Sequence, residues 1–173
     1  MRFYGADMRR IFFALMSLLP LAAFAASNPD AAFFKSAAAS GIAEIEAGRL
    51  AESKGSSQRV KDFGAMMVKD HSAANETLQT LAKAKNVVLS FDSSVAHMAA
   101  KAMLEVLSGR LFDQSYIKNQ ISAHRQAIAL LKKEIDSGLD SDAKAFASAA
   151  LPGLRLHLDA IKTLAAEMGI PTQ

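Results

Sequence analysis

Apolar and small residues recur every three or four positions through four long stretches of the chain. This spacing is typical of helices that bury one face. A shorter apolar pattern separates the second and third stretches, and the segment Val87–Ser94 before it reads as an extended crossover because it has no partner strand. The predicted helices span residues 28–55, 56–85, 94–107, 110–137 and 140–168.

Four long amphipathic helices with one longer connection favour a particular architecture. We predict an all-α fold, namely a ferritin-like up-down four-helix bundle with a short extra helix in the crossover between the second and third long helices. Ser56 or Ser57 is suited to cap the second long helix, and Asp140 or Ser141 the last one. Pro152 should bend the last helix because it removes a backbone hydrogen bond.

The buried faces of the long helices are interrupted by polar residues at one height. Counted from reference residues at or near the predicted helix starts, Glu44 follows Asp30 by 14 residues, His71 follows Ser57 by 14, His124 follows Arg110 by 14 and His157 follows Asp140 by 17. At the rise of an α-helix, each lies roughly 20 Å from its helix start, near the middle of the bundle. Gly41 and Gly48 bracket Glu44, and we expect them to allow a neighbouring helix to approach closely.

This level of the bundle permits two kinds of chemistry. Neutral imidazoles and a carboxylate are ligands for zinc, iron, copper or manganese, so Glu44, His71, His124 and His157 are candidate ligands of one transition-metal ion. Alternatively, the rings form a metal-free, hydrogen-bonded core that fixes helix register, with Glu44, Asp70, Asn75 or Tyr116 as partners. Periodicity leaves both possibilities open. His97 lies off the main stripe and is interpreted as a surface or crossover residue.

Other reaction classes find little support in the residues. Di-iron bundles place a glutamate three residues before histidine on two helices, whereas Val68, Ile121 and Leu154 hold those positions here. The chain has no cysteine, no Gly-x-Ser-x-Gly elbow and no phosphate-binding glycine loop. Glu134, next to two lysines, is expected on a solvated face. We therefore expect no catalytic nucleophile, and a protein that is not an enzyme.

The N-terminal residues have the pattern of a signal peptide. Arg9 and Arg10 precede an apolar run, Ile11–Ala25, which ends in small residues suited to a signal peptidase. We expect residues 1–25 to be removed and residues 26–173 to form the mature, periplasmic domain, with association with the outer membrane as an alternative. Met8 is a second candidate for the first residue.

Charge and composition narrow the partners. The formal net charge is +3, and the predicted signal peptide accounts for +2 of it, with three arginines against Asp7. The remaining domain, near +1, has no basic patch that would indicate nucleic acid. We expect no transmembrane segment in the mature chain. Its alanine-rich faces leave an envelope protein or a second copy of the chain as candidate partners.

Several short motifs together resemble one protein family. In chain order they are Ala43-Glu44 with Gly48, Val60-Lys61-Asp62-Phe63, Met67-Val68-Lys69-Asp70-His71-Ser72 with Asn75, Ser108-Gly109 with Phe112-Asp113 and Tyr116, His124, Lys144-Ala145-Phe146-Ala147, and Leu151-Pro152 with His157-Leu158. They resemble the exported bacterial family labelled domain of unknown function 4142, over roughly residues 30–164. Its members are similar to ferritin-like bundles and are often described as outer membrane proteins.

The resemblance implies an exported helical domain without an established reaction, and its recurrent positions fall on Glu44, Asp70, His71, His124 and His157. Our leading hypothesis is a binding or envelope stress-related module with a central histidine cluster. One alternative is a metal-dependent, oxidase-like enzyme that uses the histidines with Glu44. Another is a purely structural or interaction protein.

Overall fold

The computed structural model describes residues 30–90 and 95–171, and the predicted signal peptide and both candidate first residues lie outside them. Within the described residues the chain is all-helical and contains no strand. Its helices are α1 (Ala31–Lys54), α2 (Gln58–Ala84), α3 (Val95–Val106), α4 (Gly109–Ser137) and α5 (Ser141–Glu167). The predicted number, order and approximate bounds of the helices are confirmed, and α5 continues through Pro152.

Two helices end in the left-handed turn that satisfies their last carbonyl groups. Asn86 has φ 56°, and the Val87 N–H donates to Ala82 O at 2.8 Å. Gly169 has φ 64°, and the Ile170 N–H donates to Ala165 O at 2.9 Å. In both cases the following apolar residue, Val87 or Ile170, is buried, so each turn fixes a helix end and returns the chain to the core.

The helix starts use two different devices. Asp140 caps α5 with its own carboxylate, which accepts from the N–H groups of Asp142 and Ala143, as predicted. Ser57 occupies the N-cap position of α2, but its hydroxyl makes no capping bond. Instead, the buried carboxylate of Asp113 on α4 accepts from the backbone N–H groups of Ser56 and Ser57, both at 2.9 Å. The start of α2 is therefore tied to α4 by a residue far away in sequence.

The helices associate as two close pairs. Helix α1 lies along α2, and α4 lies along α5. Contacts of α1 with α4 and of α2 with α5 join the pairs, and α3 lies against α1 and α4. No helix in residues 30–90 or 95–171 is both long and apolar enough to cross a membrane.

Glycines bring α1 and α2 together. A Cβ atom added to Gly48 would lie 2.7 Å from the carbonyl oxygen of Gly64, and one added to Gly64 would lie 2.7 Å from that of Gly48. A side chain at Gly41 would collide with the amide of Asn75. The expectation that Gly41 and Gly48 permit close approach of a partner helix is confirmed.

The hydrophobic interior is divided into two clusters. One surrounds Phe63, Met67 and Tyr116, and the other surrounds Phe34 and Leu78. Each long helix contributes one polar residue to the central level, namely Glu44, His71, His124 or His157. Along the chain, each of these residues has a member of one cluster before it and a member of the other cluster after it. In the folded protein these polar residues therefore form a layer between the two hydrophobic clusters.

Candidate metal centre

Three histidines from three helices meet in this polar layer. His71 on α2, His124 on α4 and His157 on α5 have ring centroids 5.5–5.7 Å apart. One ring nitrogen from each lies within 4.8 Å of the other two, and all three residues are buried. The height argument from sequence therefore placed these three side chains correctly. We call them the histidine centre.

Hydrogen bonds fix which nitrogen of two rings is free. The Nδ1 of His124 lies 2.9 Å from the carbonyl oxygen of Gln120, and a carbonyl can only accept. Nδ1 therefore carries the proton, and the lone pair is on Nε2. The Nε2 of His157 donates to the Asp70 carboxylate at 3.0 Å, so in the neutral ring the lone pair is on Nδ1. These orienting bonds to a carbonyl and a carboxylate are those that metal-ligating histidines commonly make.

The free nitrogens have no protein partner. His71 Nε2, His124 Nε2 and His157 Nδ1 are all buried without a hydrogen bond. Nitrogen ligands of one zinc ion, bonded at about 2.0–2.1 Å, lie roughly 3.4 Å from each other. The histidine nitrogens lie within 4.8 Å of each other, so they would have to move closer together to bond one ion. The residues present fit one ion with three imidazole ligands.

Burial keeps two of these rings uncharged. It lowers the pKa of His71 from 6.5 to about 3, and the neighbouring His124 and His157 lower it further. Burial also lowers the pKa of His124 to about 4, against the opposing effect of its bond to the Gln120 carbonyl. At neutral pH both rings are in the neutral form that a metal ion requires.

The fourth predicted ligand, Glu44, lies in a neighbouring group. It is buried, but the ligand group found among the described residues consists of the three histidines without it. Burial raises the pKa of Glu44 from 4.5 to about 7, and the side-chain amide of Gln120 opposes part of this rise, although neither amide atom has a hydrogen bond of normal geometry. Burial, then the nearby Glu44, raise the pKa of Tyr116. We call Glu44, Tyr116 and Gln120 the Glu44 cluster.

The three supporting residues take different places. Asp70 orients His157 directly. Asn75 instead donates to the Ala38 carbonyl at 3.4 Å, across the close contact of α1 and α2. Tyr116 packs its ring parallel to Phe112, at 6.0 Å between centroids, and belongs to the Glu44 cluster.

Sequence reasoning did not single out Gln120. Its side chain is fully buried near Glu44, and its backbone carbonyl accepts from His124. A signal was present, because Tyr116, Gln120 and His124 are spaced four residues apart and share a face of α4. The aliphatic stripe through Ile117 and Ile121 obscured this polar row.

Two further expectations can be compared with the structure. Glu134 was expected on a solvated face, and this is wrong, since its side chain is 7% exposed. Burial and the adjacent Asp30 raise its pKa to about 7. His97 lies in the crossover helix α3 and is not part of the histidine centre.

A cavity of about 260 Å³ adjoins the histidine centre. His71, His157, Asp70 and Asn75 line it together with small and aliphatic residues of α1, α2, α4 and α5. His124, by contrast, is 1% exposed and packs edge to face against Phe63 at 6.4 Å between centroids. Only two of the three rings therefore face the cavity.

Fold and site together define an all-helical protein with a buried group of three histidines. The chain matches the family described as "Domain of unknown function (DUF4142)" over residues 17–164. It belongs to this family, which confirms the family resemblance carried by the sequence motifs. Searches of curated proteins and of solved structures gave no match.

Proposed function

We propose that this protein binds one transition-metal ion through His71, His124 and His157, as a binding module rather than an enzyme. The observation that carries the proposal is the meeting of three buried histidines from three helices, each of which has a buried ring nitrogen without a hydrogen bond. Two of the rings have their other nitrogen bonded to an acceptor, so their lone pairs are free for an ion.

The alternative of a metal-free polar core fits these contacts less well. A structural network would pair donors with acceptors, because an unpaired buried polar atom costs about 1–3 kcal/mol. Here at least two of the three free nitrogens are acceptors, and acceptors cannot bond one another. A cation satisfies all of them at once. Imidazole ligands suit zinc, copper and iron better than manganese.

Metal content of purified protein tests this proposal directly. We expect one zinc, copper or iron ion per chain by elemental analysis, and a rise in melting temperature when that ion is added to metal-free protein. His71→Ala and His124→Ala should remove both effects. His97→Ala is the matched control and should keep them. Wild-type protein that binds none of zinc, iron, copper or manganese would refute the proposal.

The setting of the module is a second part of the proposal. The close pairs α1–α2 and α4–α5, with α3 in the connection between them, support a ferritin-like up-down four-helix bundle. The N-terminal pattern supports export to the periplasm, and we propose a role there in envelope stress. Mass spectrometry of protein from a periplasmic fraction should give a chain that begins at Ala26, and a full-length chain in the cytosol would contradict export.

A metal-dependent, oxidase-like enzyme is the second candidate function, and one observation favours it. Glu44 is buried near the centre with its pKa raised to about 7, which suits a group that exchanges protons at neutral pH. Oxygen consumption or peroxide turnover by metal-loaded protein, lost in Glu44→Gln, would support it. If metal-loaded protein shows no turnover, the oxidase-like enzyme is refuted and the binding module remains as the proposed function.

A structural or interaction role would show differently. In that case a complex with an envelope protein or a dimer should survive in His71→Ala and His124→Ala. Native mass spectrometry of wild-type and variant chains separates this outcome from metal-dependent function.

A further inference from the structure

The cavity beside the histidine centre is elongated and changes character along its length. On α2 its lining passes from His71 to Leu78, and on α5 from His157 to Phe146. Leu78 and Phe146 belong to the same hydrophobic cluster, so both walls run from the centre towards the same end of the molecule. The eight residues from His71 to Leu78 span about 12 Å along α2, which gives the approximate length of this wall of the cavity. The cavity is a mostly apolar space with His71, His157 and Asp70 at one end, and Ser40 and Asn75 are the polar residues along its side.

The polar end is the accessible side of the histidine centre. His71 and His157 line the cavity and keep 9% and 8% of their surface exposed, against 1% for His124. Phe63 and Gln120 cover His124 from the other side. A molecule that reaches an ion held by the three rings would therefore arrive through the cavity.

We propose that the cavity binds a medium-chain carboxylate, whose head group completes the coordination of the ion and whose alkyl chain fills the apolar space. This inference rests on the metal centre proposed above. It assigns the fourth position of the ion to a ligand that comes from outside the chain.

The charges at the site favour a carboxylate as the head group of the ligand. A divalent ion bound by three neutral imidazoles keeps two positive charges, and burial makes uncompensated charge costly. Asp70 supplies one negative charge through His157. A ligand carboxylate supplies the second, and carboxylate oxygen is an established zinc ligand.

The residues that line the cavity favour an alkyl chain as the rest of the ligand. Aliphatic and small residues form most of the wall beyond the histidines, together with the polar side chains of Ser40 and Asn75, and Phe146 lies at the far end. Each methylene buried there should strengthen binding about fourfold. Octanoate has six more methylene groups than acetate, which has the same head group without the chain, so it should bind up to about 4,000-fold more tightly when all of them are buried.

Gly153 offers a way to fill the cavity without touching the histidines. It lines the cavity on α5, and a Cβ atom added to it meets no other atom within 4 Å. Gly153→Ala adds one methyl group and is the matched control. Gly153→Leu extends a branched side chain into the space meant for the alkyl chain, and Ala150→Leu, on the same wall, is a second filling variant.

The test uses protein loaded with cobalt(II), whose visible spectrum responds to changes in coordination. We expect octanoate to change the spectrum of wild-type protein and of Gly153→Ala, with binding measured by calorimetry. Gly153→Leu and Ala150→Leu should keep one cobalt ion per chain and their response to acetate, but lose at least tenfold in octanoate affinity.

The outcomes separate this inference from the proposal on which it rests. Protein that binds cobalt but shows equal affinity for acetate and octanoate would overturn the inference and leave the metal centre standing. Unchanged octanoate affinity in both filling variants would do the same. Equal octanoate affinity without metal would overturn the coordination of the head group. Failure of every form to bind cobalt or zinc would end both proposals.

Discussion

The histidine centre and the Glu44 cluster are the two polar groups in the core, and they differ in chemistry. On α4 they are one helical turn apart, at His124 and Gln120. The histidine centre presents free nitrogens that converge, and it borders a cavity. The Glu44 cluster combines a carboxyl, a phenol and an amide, which are donors and acceptors of both kinds. Converging lone pairs favour a cation, whereas at the Glu44 cluster burial raises the pKa of the carboxyl and favours its protonated form, against the effect of the Gln120 amide. Similar burial therefore produces opposite effects at the two groups: neutral bases in one and a neutral acid in the other.

The helix pairs explain part of this difference. Glu44 projects from α1, which meets α2 through Gly48 and Gly64 with almost no space between the backbones. The contact of α2 with α5 is less extensive, and the cavity lies where those two helices face each other. The Glu44 cluster joins α1 to α4 and is buried, whereas the space between α2 and α5 leaves access to the histidine centre.

The largest expected effect is a reversal of stability with metal. In metal-free protein, His124→Leu should be as stable as wild type or more stable by about 1–3 kcal/mol, because it removes an unpaired buried nitrogen. With an ion at a thousand times its dissociation constant, wild type should gain about 4 kcal/mol and the variant nothing. Urea denaturation with and without metal measures both, with His97→Leu as control. A metal-free variant clearly less stable than wild type would indicate a structural polar core instead.

The pH dependence of metal-free protein should show the two groups opposing each other. The pKa values of His71 and His124 fall from 6.5 to about 3 and 4 on folding, so the unfolded chain binds more protons and stability is lost as pH falls below 6.5. The pKa of Glu44 rises from 4.5 to about 7, so its contribution is lost as pH rises from 4.5 to 7. Each shifted group contributes a slope of up to about 1.4 kcal/mol per pH unit.

These signs predict a shallow profile between pH 4.5 and 6.5 and a steep loss below pH 4.5. Glu134, whose pKa is also raised to about 7, acts in the same direction as Glu44. Glu44→Gln should therefore make the loss between pH 6.5 and 4.5 steeper than in wild type, as followed by urea denaturation. Glu46→Gln, on the same helix, is the control, and coincident wild-type and Glu44→Gln profiles would contradict the assignment.

A smaller effect is expected from the residue that orients His157. Asp70→Asn keeps an oxygen that can accept from the His157 Nε2–H but removes the negative charge. We expect metal affinity to fall about 10–100-fold, measured by competition with a chelator. Asp62→Asn, also on α2, should leave the affinity unchanged. An unaltered dissociation constant in Asp70→Asn would show that Asp70 does not support the centre.

The smallest effect tests the contrast between the helix contacts. Gly64→Ala should lower the free energy of unfolding by about 1–3 kcal/mol, because its Cβ would lie 2.7 Å from the Gly48 carbonyl oxygen. Gly153→Ala should raise it by up to about 1 kcal/mol, because alanine is the better helix former and the site is open. Urea denaturation gives both values. Shifts of the same sign would argue against a close α1–α2 contact beside an open α5 wall.

Helix positions and the height of the histidines could be predicted because both depend on local periodicity. A residue's place on a helix face, and its rise along the axis, follow from its number alone. The same argument placed Glu44 at the central level but could not determine which neighbour it would meet. That depends on the rotation of α1 about its axis, and close contact at Gly41, Gly48 and Gly64 decides it.

The sequence by itself determined that there are five helices, that a polar level interrupts the core, and that His71, His124 and His157 lie at this level. The tertiary structure decided that the three histidine rings meet, that Glu44 is buried near Gln120 and Tyr116, and that Asp113 binds the backbone just before α2, more than fifty residues away. It also decided that Glu134 is buried beside Asp30. The reason is physical: periodicity fixes what each helix presents, but contacts between side chains on different helices depend on the distance and rotation of whole helices.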